Sequence, residues 1–236
     1  MIKDKYCPTD ILMLLINCVT AGMNFVIGGE PGSGKTEFVK FLMQFIPLEK
    51  RVITIEDSLE IHYSEINPDA DAVELRVGED FSYTDAIKAC LRQNPMWLVL
   101  SEARSVEVTS LIEQWSTGVN GITTIHLDDL RKLPDRIENM MNDVNDASRL
   151  ENRIYRYVNV GVLIRREKEA DGGIRRYIDQ MCFYVREEHK NRVYMLVEDG
   201  EIISRKIPAD IAKRLKLAGI DEFFWCDLDP FIKRGM

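Results

Sequence analysis

Eight consecutive residues, Gly29-Glu30-Pro31-Gly32-Ser33-Gly34-Lys35-Thr36, satisfy the pattern G-x-x-x-x-G-K-[ST] at every fixed position. Glycines at those positions let the backbone wrap closely enough for successive N–H groups to converge on phosphate oxygens. Lys35 is placed to neutralise β and γ phosphates, and the Thr36 hydroxyl to ligate magnesium. Glu30, Pro31, Ser33 and, just beyond, Glu37 complete the expected nucleotide-binding stretch. Three other segments carry groups able to act on a bound phosphate. ITIEDSLEIH, Ile53 to His62, places Glu56, Asp57 and Glu60 after an apolar run; WLVLSEAR places Glu102 after another; TTIH ends on His126. Acids at strand ends can hold magnesium through its waters, as expected here of Glu102 and Asp57, or orient an attacking water. Any one of them alone could equally be a solvated loop carboxylate, and the intact phosphate loop favours the chemical reading of Glu102.

These residues need strands that end on one side of a sheet. Phe25-Val26-Ile27 reads as a strand before the loop, and EFVKFLMQFI as a helix after it, with Phe38, Leu42, Phe45 and Ile46 roughly on one face. That helix would aim its positive end at the phosphates. Before the loop, Pro8 to Gly22 suggests a helix capped by Thr9 and stopped by Gly22. RVITIE, VELRV as an edge, MWLVLS and GITTIH read as strands, alternating with helices in YTDAIKACLRQ, VEVTSLIEQWS and DLRKLPDRIENMM, the last interrupted or restarted at Pro134. Such alternation predicts an α/β fold, a mostly parallel sheet with helices on both faces that binds its ligand at the carboxyl ends of the strands. From Arg149 the pattern changes to long strands around the turns at Ala170–Gly173 and Asp199-Gly200, which would extend the sheet as antiparallel hairpins. A last helix, PADIAKRLKLAGI, and the aromatic tail EFFWCDLDP are expected to pack back onto the core. The expected organisation is one domain: a phosphate-loop core over 1–148, added strands over 149–206, and a terminal helix and tail over 207–236.

A chain of 236 residues, 45% apolar, is long enough to bury one large core. Its net charge of −8 argues against nucleic acid as the main partner, because phosphate backbones reward clustered lysine and arginine. Five scattered cysteines without a C-x-x-C pair suit reduced thiols in a cytosolic protein. No apolar run reaches the length of a membrane span, so any membrane contact is expected to be peripheral.

The order GEPGSGKT, RVITIEDSLEIH, ACLRQNPMWLVLSEARSVEV, TGVNGITTIH resembles the secretion ATPases of type II and type IV secretion systems, including those of type IV pili, Tad pili and conjugation machines. The resemblance runs from about Pro8 to Met141. VNVGVLIRRE followed by DGGIRR also resembles the segment after the core in the Tad-pilus and conjugative branches. It implies a RecA-like ATPase domain that hydrolyses ATP with magnesium. It further implies a hexameric ring at the cytoplasmic face of the membrane, engaged with an inner-membrane platform protein. By the same resemblance, Glu60 matches the second acid of the aspartate box and Glu56 and Asp57 its leading pair; Glu102 matches the Walker B glutamate and His126 the second histidine of the histidine box. Arg92, Arg104 and Arg136 match recurrent arginines, each open to a finger role across a subunit boundary or to a structural salt bridge.

Three positions depart from the family's pattern. Ser101 replaces the usual glycine before the Walker B glutamate, Val119 a histidine, and Asn94 an arginine. The family's amino-terminal domain, which helps clamp nucleotide and build the ring, is expected to be absent, because only one helix precedes the loop. Two other functions stay open. One is a regulatory module that binds ATP and scarcely hydrolyses it. The other is a small-molecule phosphotransferase, disfavoured because no lid segment with paired arginines is read after the core.

Overall fold

The computed structural model describes residues 6–140 and 147–228. Among these residues nine strands form one sheet: β1 (Phe25–Gly29), β2 (Val52–Glu56), β3 (Ala72–Arg76), β4 (Trp97–Leu100), β5 (Asn120–Ile125), β6 (Val160–Lys168), β7 (Ile174–Glu187), β8 (Lys190–Glu198) and β9 (Glu201–Ile202). Their order is β3-β2-β4-β5-β1-β6-β7-β8-β9. β3 through β6 in that order are parallel, and β6 to β9 are antiparallel. The hairpins therefore lengthen the same sheet.

Side chains of successive strand residues alternate between two cores, which is why apolar residues stand at both alternating sets of positions in the central strands. Phe25, Ile27, Val52, Trp97, Val99 and Ile122 face α1 (Thr9–Thr20), α2 (Lys35–Met43) and α8 (Ala209–Leu217). Val26, Ile53, Ile55, Leu98, Leu100 and Ile125 face the opposite core, with α4 (Tyr83–Cys90), α5 (Glu107–Ser116), α6 (Leu133–Glu138) and α7 (Ala147–Tyr157). The short α3 (Tyr63–Ile66) lies beside the edge strand β3. Phe38, Leu42, Phe45 and Ile46 are all buried as expected, although α2 itself ends at Met43 and the last two sit in the turns that follow.

Two local expectations need correction. NRIYRY is helical, because Leu150, Ile154, Tyr155 and Val158 form one buried stripe at helical spacing and pack with α5, α6 and β7. Thr9 is the first residue of α1, and its cap is Pro8, whose fixed φ of −55° suits the entry to a helix. The chain does restart at Pro134, which sits in the first turn of α6 after a single 3-10 turn at Leu130–Lys132. Met141, at the end of the segment read as that helix, and the tail beyond Leu228 lie outside the described residues. Within the described part of the tail, Phe223 and Phe224 pack on the α1 core while Trp225 is exposed; buried Asn17 donates to the carbonyls of Phe223 (2.9 Å) and Trp225 (2.8 Å).

Candidate active site

The loop between β1 and α2 is shaped by its glycines. Gly34 (φ 93°) caps α2 in a left-handed conformation. Gly29 (φ 150°) runs so close to β6 that an added Cβ would lie 2.6 Å from the Ile164 carbonyl oxygen. Within this loop Lys35 Nζ donates to the carbonyls of Gly29 (2.9 Å) and Glu30 (3.0 Å), and the Ser33 hydroxyl is buried without a partner. Burial lowers the Lys35 pKa, opposed by the charge of Glu102. An ammonium held on carbonyls beside an unsatisfied hydroxyl is what an oxyanion would relieve.

A cleft of about 780 Å³ opens beside the loop at the carboxyl ends of the parallel strands. It is lined by Pro31, Gly32, Gly34, Lys35, Thr36 and Glu37 from the loop side, and by Asp57, Glu60, Glu102, Arg104 and His126 from the strand ends. Glu102 is the hub. Its Oε2 pairs with Arg104 Nη2 and its Oε1 with His126 Nε2, both at 2.8 Å. Arg104 Nη1 reaches on to Asp57 Oδ2 at 2.8 Å. Burial works against the Asp57 charge, but the hydrogen bond and charge of Arg104 outweigh it and hold that carboxyl below its ordinary value. Arg104 is raised in turn, foremost by its hydrogen bond to Glu102. Its backbone is set by Glu107 in the first turn of α5, whose Oε1 accepts from the N–H groups of Arg104 and Ser105. His126 Nδ1 lies between the Gly29 carbonyl (3.2 Å) and Lys35 Nζ (3.4 Å), so one imidazole spans the acid and the loop.

Not every expected residue joins the cleft. Glu56 is fully buried, and its Oε2 accepts from the N–H groups of Glu60 and Ile61, both at 3.0 Å. It shapes the loop that presents Asp57 and the exposed Glu60 and does not itself line the cleft. Burial raises its pKa, and the two backbone hydrogen bonds only partly offset that effect. A raised folded pKa means that the charged form costs stability, a cost that grows from the unfolded carboxylate's pKa near 4.3 upward through the folded value. Urea denaturation at pH 5, 6.5 and 8 should therefore show the stability of Glu56→Gln gaining on that of the parent as pH rises. A gap independent of pH would show that the carboxyl carries no such penalty.

Arg92 is exposed and precedes the amino end of β4, at the far end of that strand from Glu102. Arg136, with Gly29 and Glu30, lines a separate hollow on the other flank of the loop. The three departures have local explanations. Ser101 Oγ shares a hydrogen bond with Tyr83 Oη (3.0 Å), which also accepts from the N–H of Asp57 (3.1 Å), joining the two acid-bearing strands. Val119 packs on the α4–α7 core. Asn94 takes φ 51° in the loop before Pro95, a conformation that asparagine tolerates. Sequence reasoning missed Tyr83, Tyr6 and Arg176, of which the last two line the cleft. It also missed that arginines of the regular β6–β7 hairpin reach the loop. The alternation of Ile164 with Arg166, and of Ile178 with Arg176, was the available signal.

A parallel sheet with covered faces, a phosphate loop after its first strand and acids on the neighbouring strand ends define a RecA-like phosphate-loop fold. More particularly, the chain belongs to the type II/IV secretion system protein family, whose model matches residues 6–162. It is 38% identical over 146 residues to an uncharacterized protein of Bacillus anthracis, covering 61% of this chain and 33% of that one. It is 29% identical over 187 residues to the type IV secretion system protein VirB11 of Brucella suis, covering 74% and 51%. The crystal structure of the Brucella suis VirB11 ATPase in complex with sulphate superposes with a TM-score of 0.64 at 28% identity, over 74% of this chain and 52% of that one. The chain thus spans about a third to a half of the length of these relatives. No helix among the described residues is long and apolar enough to cross a membrane.

Proposed function

We propose that this chain binds and hydrolyses ATP with magnesium, and that the hydrolysis powers a secretion, pilus-assembly or conjugation machine. The observation that carries this reading is one cleft in which the phosphate-loop lysine faces a glutamate held by both an arginine and a histidine. The buried Ser33 hydroxyl and the glycine-shaped loop fit a polyphosphate, and the solved VirB11 relative is in complex with sulphate, a tetrahedral oxyanion like a single phosphate group. Among the described residues no cluster of three or more His, Cys, Asp or Glu side chains could cage a metal. Magnesium keeps several waters and is bound through phosphate oxygens with one or two protein groups, so Thr36 would hold it directly and Glu102 and Asp57 through water. Bound there, magnesium would neutralise charge on the phosphates.

Lys35 would hold the β and γ phosphates, Glu60 or Glu102 would orient the attacking water, and His126 would report the state of Glu102 to the loop. Arg104 is occupied by two acids of its own chain, so its role within the subunit is to place them. The motor would be a homo-hexameric ring at the cytoplasmic face of the membrane, engaging a membrane platform protein and no nucleic acid.

The test is phosphate release and nucleotide binding measured side by side, with sedimentation in the presence of MgATP. Release that is abolished by EDTA, together with nucleotide-dependent assembly, is the expected result. Tight binding without release would make the chain a regulatory module, and a protein monomeric under all nucleotide conditions would sink the ring.

A further inference from the structure

We propose that Arg166 and Arg176, opposite each other on β6 and β7, form a cationic clamp that holds the polyphosphate from the outer side of the phosphate loop. The inference rests on the nucleotide reading of the cleft. Its first support is a conflict in the sheet. Arg166 and Arg176 are direct register partners, and like charges directly across an antiparallel pair are destabilising. The adjacent positions are compensated: Arg165 bonds Asp179 at 2.5 Å, and Arg175 lies opposite Glu167. Among the described residues neither Arg166 nor Arg176 makes a salt bridge. A local rule broken at one pair, with the neighbouring pairs satisfied, marks a place where an absent anion would restore the balance.

The second support is position. Ile164 and Ile178, buried on the α1–α2 side, share a face with Arg166 and Arg176, so the pair continues that face past the start of α2 and onto the loop. Arg176 Nε donates to the Gly32 carbonyl at 3.2 Å, and its Cδ would be 3.3 Å from a Cβ at Gly34. Arg166 Nη1 would be 3.1 Å from a Cβ at Gly32. Both guanidiniums therefore rest against the glycines that form the phosphate cradle, and Arg176 lines the cleft itself.

The third support is unspent donors. The Arg176 side chain uses only Nε, and the Arg166 side chain makes no hydrogen bond to the described residues, leaving planar forks suited to phosphate oxygens. The other cations of the cleft are Lys35 and Arg104, and Arg104 is already bound to Glu102 and Asp57. Four acids, Glu37, Asp57, Glu60 and Glu102, line the same space. A triphosphate entering it needs a cation that is not already neutralised, and Arg176 supplies one from within the chain.

The experiment titrates MgATP into the parent, Arg176→Ala, Arg166→Ala, the double variant, Arg176→Lys and Lys35→Ala, with the melting temperature of each protein recorded without nucleotide. Arg176→Ala should weaken MgATP binding about tenfold or more, the size of a charge-assisted contact. Arg166→Ala should weaken it less, and Arg176→Lys should recover part of the loss. Because cross-strand repulsion is relieved, the alanine variants should melt at or above the parent's temperature, which a structural brace would not do. MgATP affinity within twofold of the parent in the double variant, while Lys35→Ala loses binding, would overturn the clamp and leave the nucleotide reading standing. Unchanged binding in Lys35→Ala would remove both. A lower melting temperature accompanying the loss, with no rescue by Arg176→Lys, would make Arg176 a brace of the loop and also overturn the clamp.

Discussion

Glu102→Gln should cut the rate of ATP turnover by a factor on the order of 10² to 10³, the range of a lost acid–base or water-orienting group, while leaving MgATP affinity near that of the parent. Glutamine keeps the shape of the side chain and can still accept from Arg104 through its one carbonyl oxygen. It cannot accept from His126 Nε2–H with its amide nitrogen as Oε1 does at 2.8 Å, and it brings no negative charge to the magnesium site. Arg104 stays anchored by Asp57, so the surrounding geometry should survive. Single-turnover phosphate release beside an equilibrium binding titration separates the two effects. Turnover at the parent's rate would remove Glu102 from the chemistry, and equal loss of binding and turnover would make it a structural residue of the cleft.

The arrangement around Glu102 shows how much could be read before the fold was seen. A buried apolar run ending in an acid says that the acid emerges where a parallel strand ends, and the alternation of helices and strands says that several such ends lie together. Lys35, Asp57, Glu60, Glu102 and His126 do meet in one cleft. Glu56 does not. It sits one residue earlier, within a strand covered on both faces, and its depth depends on a covering layer that local sequence does not specify. The helix over Ala147–Tyr157 was hidden because RIYRYV mixes residues of strand character with a helical stripe. Arg176 was hidden for a longer-range reason. Its aim depends on the register of β7 against β6, which shifts between Leu163 and Ile164, where Asp179 is the extra residue. A slip of one residue would turn Arg176 to the other face.

The same closeness of β6 to the phosphate loop makes Gly29 the position where one added methyl group should do the most damage. In Gly29→Ala the new Cβ would lie 2.6 Å from the Ile164 carbonyl oxygen and 2.6 Å from Ser33 Oγ, at a φ of 150° that side chains rarely adopt. The serine could rotate away. The carbonyl could not, because β6 is held between β1 and β7 and Ile164 itself pairs with Gly29. Relief must come from opening the β1–β6 contact or moving the loop away from its position beside Lys35. Backbone strain of about 1–3 kcal/mol and overpacking of a similar size together approach 3–5 kcal/mol, a large part of the stability of a typical domain. Urea denaturation should show the unfolding free energy lowered by that amount, and any folded fraction should bind MgATP at least tenfold more weakly, because the carbonyls that hold the Lys35 ammonium move with Gly29. Parent-like stability with parent-like affinity would mean that the approach of β6 to the loop does not constrain this site. Parent-like stability with lost affinity would place the whole effect in the phosphate cradle.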